Sequence, residues 1–261
     1  MRRVHSPVPA KGGRVPVDYL QRLVEARREM MDEVWPAGRN SHAPWDGTHY
    51  SLKGHARPVS VSRTEAYFLS NLVILGRPDT VFEIGTGFGY SAAWLGMGLA
   101  TAGHGRLITL DNYSEGSLGV DGLIAAEKFL GTIGVDEFVD LAVGSSPVDV
   151  PKVLGERSVD IAFIDANHHG EHPVGDYESV RPLMCRSGAI VFHDVDDSRY
   201  TVSKATKRAA DDGWRLAALQ TSCFLTVAYV DPRWTELIAE AFDAARRGEF
   251  SMVKDADGAR S

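Results

Sequence analysis

Two stretches of this chain carry side chains able to do chemistry. The first is "FIDANHHGEHPVGDY", residues 163–177, in which the carboxylate of Asp165 closes an apolar run and His168, His169 and His172 follow close behind. Such a set can hold a metal or move a proton, because imidazole titrates near neutrality and is also a common metal ligand. His168 to His172 spells H-x-x-E-H, the pattern of an inverted zinc-protease helix. That pattern works only where residues i and i+4 share a helical face. Gly170 inside it and Pro173 directly after it make the segment a loop, which argues against a zinc hydrolase. The second stretch is "EIGTGFGYS", residues 83–91, which follows an apolar strand and opens a helix. Its glycines let the backbone approach a ligand, and a helix N-terminus offers free N–H groups. The spacing of Gly85, Gly87 and Gly89 is G-x-G-x-G, which departs from the G-x-G-x-x-G of dinucleotide folds.

The elements that must position these residues alternate after residue 78. Strand-like runs fall at 80–85, 106–111, 138–144, 158–165 and 188–194, with helical stretches at 90–102, 117–131, 148–155, 176–185 and 201–212. Strands alternating with helices at this spacing predict a parallel sheet covered on both faces, a doubly wound α/β fold. The rhythm then breaks. "WRLAALQT" (214–221) and "CFLTVAYV" (223–230) leave no room for a crossover helix, so they are expected to pair antiparallel as a C-terminal hairpin. Before residue 78 the pattern predicts helices at about 17–34 and 62–76, separated by a long segment, 36–58, of the length that lids and binding loops have. We therefore divide the chain into 1–61, an N-terminal helical extension with a lid or wrap, and 62–261, the main domain.

Charge decides what the glycine loop could hold. Glu83 precedes the first glycine by two residues, Asp111 ends the second strand, and Asp165 and Asp194 end the fourth and fifth. Four carboxylates thus converge on the carboxyl edge of the sheet, where ligands bind. The loop has neither Lys nor Arg, so a pyrophosphate would be repelled there. S-adenosylmethionine carries an ammonium and a sulfonium and no phosphate, and suits the site.

Composition excludes several function classes. With 261 residues, 44% of them hydrophobic, the chain can bury one large core. A net charge of −7 argues against a nucleic-acid partner, which calls for a basic patch. No apolar run approaches the roughly 20 residues that span a bilayer, and no secretory h-region is present, so a cytoplasmic protein without a membrane partner is expected. Cys185 and Cys223 form no C-x-x-C pair and read as buried thiols. A homo-oligomer is compatible with the sequence.

From about 62 to 230 the chain resembles the class I S-adenosylmethionine-dependent methyltransferases, and within them the small-molecule O-methyltransferases related to catechol and macrolide-sugar methyltransferases. The matching pieces are "FEIGTGFGYSAAWL", "LITLD", "LAVGSSPV", "VDIAFIDANHHGEHPVGDY" and "MCRSGAIVFHDV". The resemblance implies a Rossmann-like seven-stranded sheet and transfer of a methyl group to the hydroxyl of a small molecule, in secondary metabolism. It implies that Glu83, Gly85, Thr86 and Gly87 line the methionine part of the cofactor and that Ser91 bonds its carboxylate. Asp111, with Asn112 beside it, would take the ribose hydroxyls, Ser145 would lie near the adenine, and Asp165 would border the same pocket. The D-x-x-H of Asp165 and His168, with Asp176 downstream, would place His168 over the substrate hydroxyl as its base, leaving His169 and His172 without a role. In metal-dependent relatives the positions of Asp165, His193 and Asp194 hold magnesium. Magnesium prefers oxygen, so His193 breaks the expected set: a softer ion, a two-carboxylate site or no metal are the alternatives.

Three rival readings accompany this one. Tyr200-x-x-x-Lys204 has the spacing of NAD(P)-linked short-chain oxidoreductases, but their glycine loop is missing. N-methylation and a non-catalytic S-adenosylmethionine-binding protein are the others.

Overall fold

The computed structural model describes residues 19–26, 61–113 and 119–250. The 36–58 segment and nearly all of the 1–61 extension lie outside them. Residues 19–26 are helical (α1), followed in order by α2 (Arg63–Gly76), β1 (Thr80–Ile84), α3 (Tyr90–Ala102), β2 (Arg106–Asp111), α4 (Gly119–Ile133), β3 (Val139–Val143), α5 (Val150–Leu154), β4 (Val159–Ile164), α6 (His172–Val180), β5 (Met184–Phe192), α7 (Val202–Asp211), β6 (Arg215–Leu219), β7 (Leu225–Tyr229) and α8 (Arg233–Arg247).

The sheet runs β3-β2-β1-β4-β5-β7-β6. Its first five strands are parallel, and β7 pairs antiparallel with both β5 and β6. This is the expected doubly wound seven-stranded α/β sheet with a terminal hairpin. Because strand side chains alternate, each parallel strand feeds two cores. Val81, Phe163 and Val191 face Phe68 of α2, Trp94 of α3 and Trp234 of α8. Phe82, Ile164 and Phe192 face Val150 of α5, Tyr177 of α6 and Val202 of α7. Helix α2 packs on α3 and α8, and its start is fixed by a capping box in which Ser62 and Glu65 satisfy each other's backbone N–H.

Four local expectations are corrected. The helix expected at 176–185 begins at His172, because Pro173 sits in its first turn, where a missing N–H costs nothing. His172 therefore opens α6 and is not a loop residue. Strand β5 begins at Met184 instead of 188, with a register irregularity against β4 between Val159 and Ile161. The connection between β6 and β7 spans residues 220–224, longer than the single residue the pattern suggested. Cys185 and Cys223 are half-buried, not core thiols. Among the described residues no helix is long and apolar enough to cross a membrane.

Candidate active site

Strand order reverses between β1 and β4, and in open α/β sheets the crevice outside such a switch point is where ligands bind. After β1 the chain turns through Gly85, Gly87 and Gly89, with φ of 103°, 52° and 81°. Gly85 is the strictest of the three, since a Cβ there would lie 2.0 Å from the carbonyl oxygen of Asp165. The glycine loop thus rests directly on the end of β4.

Asp111 braces that loop. Its Oδ2 accepts the Gly87 N–H at 2.9 Å and its Oδ1 the Tyr113 N–H at 3.1 Å. The Tyr113 hydroxyl in turn donates to the Gly87 carbonyl at 3.2 Å. Each carboxylate oxygen keeps a further lone pair, so two ligand hydroxyls still find acceptors there. Thr86 is buried and shares a 2.6 Å hydrogen bond with Thr109. Asn112 is exposed at the end of β2, and Ser145 is exposed after β3, where its N–H donates to Asp149 at 2.9 Å.

Glu83 and Ser91 lie beneath the loop, both buried. The Thr109 hydroxyl donates to Glu83 Oε2, while Oε1 has no hydrogen-bond partner. Burial pushes the Glu83 carboxyl up to about 8, reinforced by the charges of Asp165 and Asp111 and opposed by hydrogen bonds from Ser91 and Thr109. The picture of four ionised carboxylates on the rim is therefore corrected: near neutral pH Glu83 keeps its proton. An orphaned acceptor atom under a glycine turn suits a ligand that brings a positive group.

At the ends of β4 and β5 the side chains converge instead. Asp165 Oδ1 lies 3.1 Å from His168 Nε2, in hydrogen-bond geometry, and 3.2 Å from His193 Nδ1. Asp194 Oδ2 lies 3.3 Å from His193 Nδ1 and 3.6 Å from His168 Nε2. Asp194 leaves β5 in the left-handed region, φ 56°, which aspartate tolerates better than most residues. Burial works against ionisation of Asp165, yet the two imidazoles beside it hold its carboxyl well below the usual carboxylate range. Burial likewise opposes charge on His168, but its bond to Asp165 raises its pKa; the same carboxylate, joined by Asp194, raises that of His193 further.

The backbone of His168 is pinned by Thr201, whose N–H and hydroxyl both donate to its carbonyl, at 2.8 and 3.0 Å. The Tyr200 ring lies against its imidazole with centroids 4.8 Å apart. His169 and His172 are exposed. Asp176 is buried in α6 beside Ser146, and the acid bonded to His168 is Asp165. Tyr200 precedes α7 and Lys204 pairs with Glu171 at 2.6 Å, so the Tyr-Lys spacing builds no dehydrogenase pair.

Sequence reasoning missed Glu65. It is fully buried at the start of α2, and its Oε2 lies 3.5 Å from His193 Nε2. Its only local signal was the capping box, which explains a helix start and says nothing about a residue 128 positions later. Tyr113, Tyr200 and Thr201 were likewise not assigned to the site.

Ligand-capable atoms of Asp165, His168, His193 and Asp194 all lie within 4.8 Å of one another. His193 is 3% exposed, and neither of its ring nitrogens is hydrogen-bonded. A buried imidazole lodged between two carboxylates does not fit the all-oxygen octahedron of magnesium; it fits a borderline divalent ion.

Comparison with known proteins agrees with this geometry. Residues 82–195 match the family model described as "Methyltransferase domain". The chain is 27% identical over 165 residues to a catechol O-methyltransferase of Niastella koreensis, covering 62% of this chain and 70% of that one. Among solved structures it resembles an O-methyltransferase from Bacillus cereus in complex with S-adenosylhomocysteine, with a TM-score of 0.60 and 21% identity over 80% of this chain and 91% of the other. It also resembles the O-methyltransferase TomG from Streptomyces achromogenes, involved in tomaymycin synthesis and solved with S-adenosylmethionine, with a TM-score of 0.59 and 21% identity over 80% and 89%.

Proposed function

We propose that the chain is a class I S-adenosylmethionine-dependent O-methyltransferase that moves a methyl group from S-adenosylmethionine to a hydroxyl of a small molecule, with His168 taking the hydroxyl proton; the matching methyltransferase-domain model and the O-methyltransferase relatives support this reading. The observation that carries this reading is the meeting, at the β1–β4 step, of a glycine turn over a buried acid with one unpartnered oxygen and an Asp165–His168 pair. The first half has the character of a donor site and the second of an acceptor site. Bound over the glycine turn, the cofactor supplies a methyl carbon already activated by sulfonium. What is left to the protein is to place the nucleophile in line and remove its proton.

Asp111 bonds the ribose hydroxyls with the lone pairs that Gly87 and Tyr113 leave free. The buried Glu83 acid meets the ammonium of the methionine part. Asp165 holds the His168 ring through Nε2, Tyr200 and Thr201 fix the ring and backbone, and the other ring nitrogen, Nδ1, receives the acceptor's proton. A divalent ion held by Asp165, His193 and Asp194 would orient the acceptor oxygen and lower its pKa. Catechol methylation by the Niastella koreensis relative supports a small hydroxylated acceptor. The acidic net charge supports an enzyme that works in the cytoplasm away from nucleic acid, and the tomaymycin relative supports a place in secondary metabolism.

Calorimetry tests the premise. S-adenosylhomocysteine should bind and NAD and NADP should not, and isotope-labelled S-adenosylmethionine should label a hydroxyl in a panel of catechols and sugars. Tight NAD binding, or labelling confined to amines, would overturn the assignment.

A further inference from the structure

We infer that Glu65 is a positioning residue that locks His193 with Nδ1 turned toward Asp165 and Asp194, and that the site so built selects a borderline divalent cation such as zinc or cobalt over magnesium. The inference rests on the proposed metal role of the β4–β5 cluster and adds to it the class of ion and the residue that determines it.

The argument begins with the acceptor inventory of Glu65. As a carboxylate it only accepts hydrogen bonds. Its Oε1 takes the Cys223 N–H at 2.9 Å and its Oε2 the Ser62 N–H at 2.6 Å, so the group is fixed from the β6–β7 connection and from the start of α2 at once. A further neighbour of Oε2 is His193 Nε2, at 3.5 Å. Both ring nitrogens face acceptor-only carboxylates, so without a metal each carries a hydrogen; a cation entering between Asp165 and Asp194 would displace the one on Nδ1, while Nε2 keeps the hydrogen that faces Glu65. Nδ1 is turned to the side where Asp165 and Asp194 stand 3.2 and 3.3 Å away. Neither carboxylate meets Nδ1 in hydrogen-bond geometry, although His193 is almost fully buried. A buried nitrogen that is crowded by two carboxylate oxygens and bonded to neither is arranged as a ligand. A carboxylate behind the far nitrogen is the usual means of orienting a metal-bound imidazole and raising its basicity.

The choice of ion follows from the donors. One imidazole and two carboxylates form a mixed nitrogen–oxygen set, for which first-row transition ions bind more tightly than magnesium. Replacing the imidazole by a carboxylate should remove that advantage.

The test is metal titration of the cofactor-free full-length protein by calorimetry, with visible spectra of the cobalt form. It requires no turnover, so failure of the methyl-transfer reading would appear separately, as loss of S-adenosylhomocysteine binding. Wild type should bind cobalt and zinc about 100-fold or more tighter than magnesium. Glu65→Gln should lose about 10- to 100-fold in cobalt affinity, and His193→Asp should reverse the preference toward magnesium. Glutamine can still cap α2, and a thermal melt checks that the variant folds. Should it not fold, ¹⁵N–¹H spectra of the zinc-loaded wild type carry the test: His193 protonated at Nε2 and metallated at Nδ1 supports the inference, and the opposite tautomer overturns it. Equal affinity for magnesium and cobalt, or unchanged cobalt affinity in a folded Glu65→Gln, would also overturn it. So would thiolate-to-cobalt charge-transfer bands, because Cys223 neighbours Glu65 and His193 and thiolate ligation would put the ion on the Nε2 side.

Discussion

The two halves of the site are built on opposite principles. At the ends of β1 and β2, backbone does the shaping: three left-handed glycines, one of them without room for a Cβ, are braced by a carboxylate that accepts two main-chain N–H groups. At the ends of β4 and β5, side chains do it: four groups from a loop and two strand ends crowd within 4.8 Å, and a fifth reaches in from α2. The difference teaches where charge is kept. In the first half burial wins and Glu83 stays neutral; in the second, mutual pairing wins over burial, and Asp165 is ionised between two histidines. A half that holds its charge in reserve suits a cationic cofactor, whereas a half that keeps charges in opposition suits proton transfer and metal ligation.

The sharpest way to break the comparison is His168→Ala. A positioned base contributes about 10²- to 10⁴-fold in rate, or roughly 3 to 5 kcal/mol of barrier. Turnover should fall by that much while affinity for S-adenosylhomocysteine stays at the wild-type value. His172→Ala, at an exposed position, should be silent in the same assay. Wild-type activity should rise with pH with a midpoint above the ordinary imidazole value, since Asp165 raises the pKa of His168 and only the neutral ring accepts a proton. If both variants keep full turnover, the second half does not remove the proton.

Next in size is Asp111→Ala. Loss of hydrogen bonds to a charged acceptor costs about 1.5–3 kcal/mol. Because the same carboxylate braces Gly87, part of that loss should appear as a lower urea midpoint as well as weaker cofactor binding. An affinity loss without any change in stability would mean that the brace is dispensable.

A smaller effect tests the reserve charge. A ligand ammonium favours ionised Glu83, so S-adenosylhomocysteine affinity should climb as pH rises toward about 8 and level off above it, with a slope of at most about tenfold per pH unit. Glu83→Gln should flatten the climb. A flat wild-type profile between pH 6 and 8 would separate Glu83 from the cofactor.

The smallest effect lies outside both halves and calibrates them. Burial pushes the Asp176 carboxyl up to about 6, above its unfolded value near 3.8. A group with a raised folded pKa contributes stability that is fully present below the unfolded pKa and lost as pH rises through the folded one. The urea midpoint should therefore decline between about pH 4 and 6, and Asp176→Asn should remove that decline. An unchanged decline in the variant would assign it to other groups.

What the sequence determined by itself are the features governed by local chemistry. β-branched runs alternating with helical ones require a doubly wound sheet, and two adjacent apolar runs with no crossover helix require a hairpin. Glycines at 85, 87 and 89 announce a backbone conformation that other residues adopt only with strain, so the first half of the site was legible from "EIGTGFGYS" alone. The start of α6 was misjudged because Pro173 reads as a breaker where it is in fact a tolerated first-turn residue. What only the tertiary structure decided is the second half. Glu65 and His193 are far apart in the chain and share no local pattern; they meet because α2 packs against α3 and α8 on the face of the sheet where β5 ends. The protonation of Glu83 was equally hidden, since a carboxylate reads as a charge in any sequence. It becomes neutral only when folding removes water from around it and puts two other carboxylates close by.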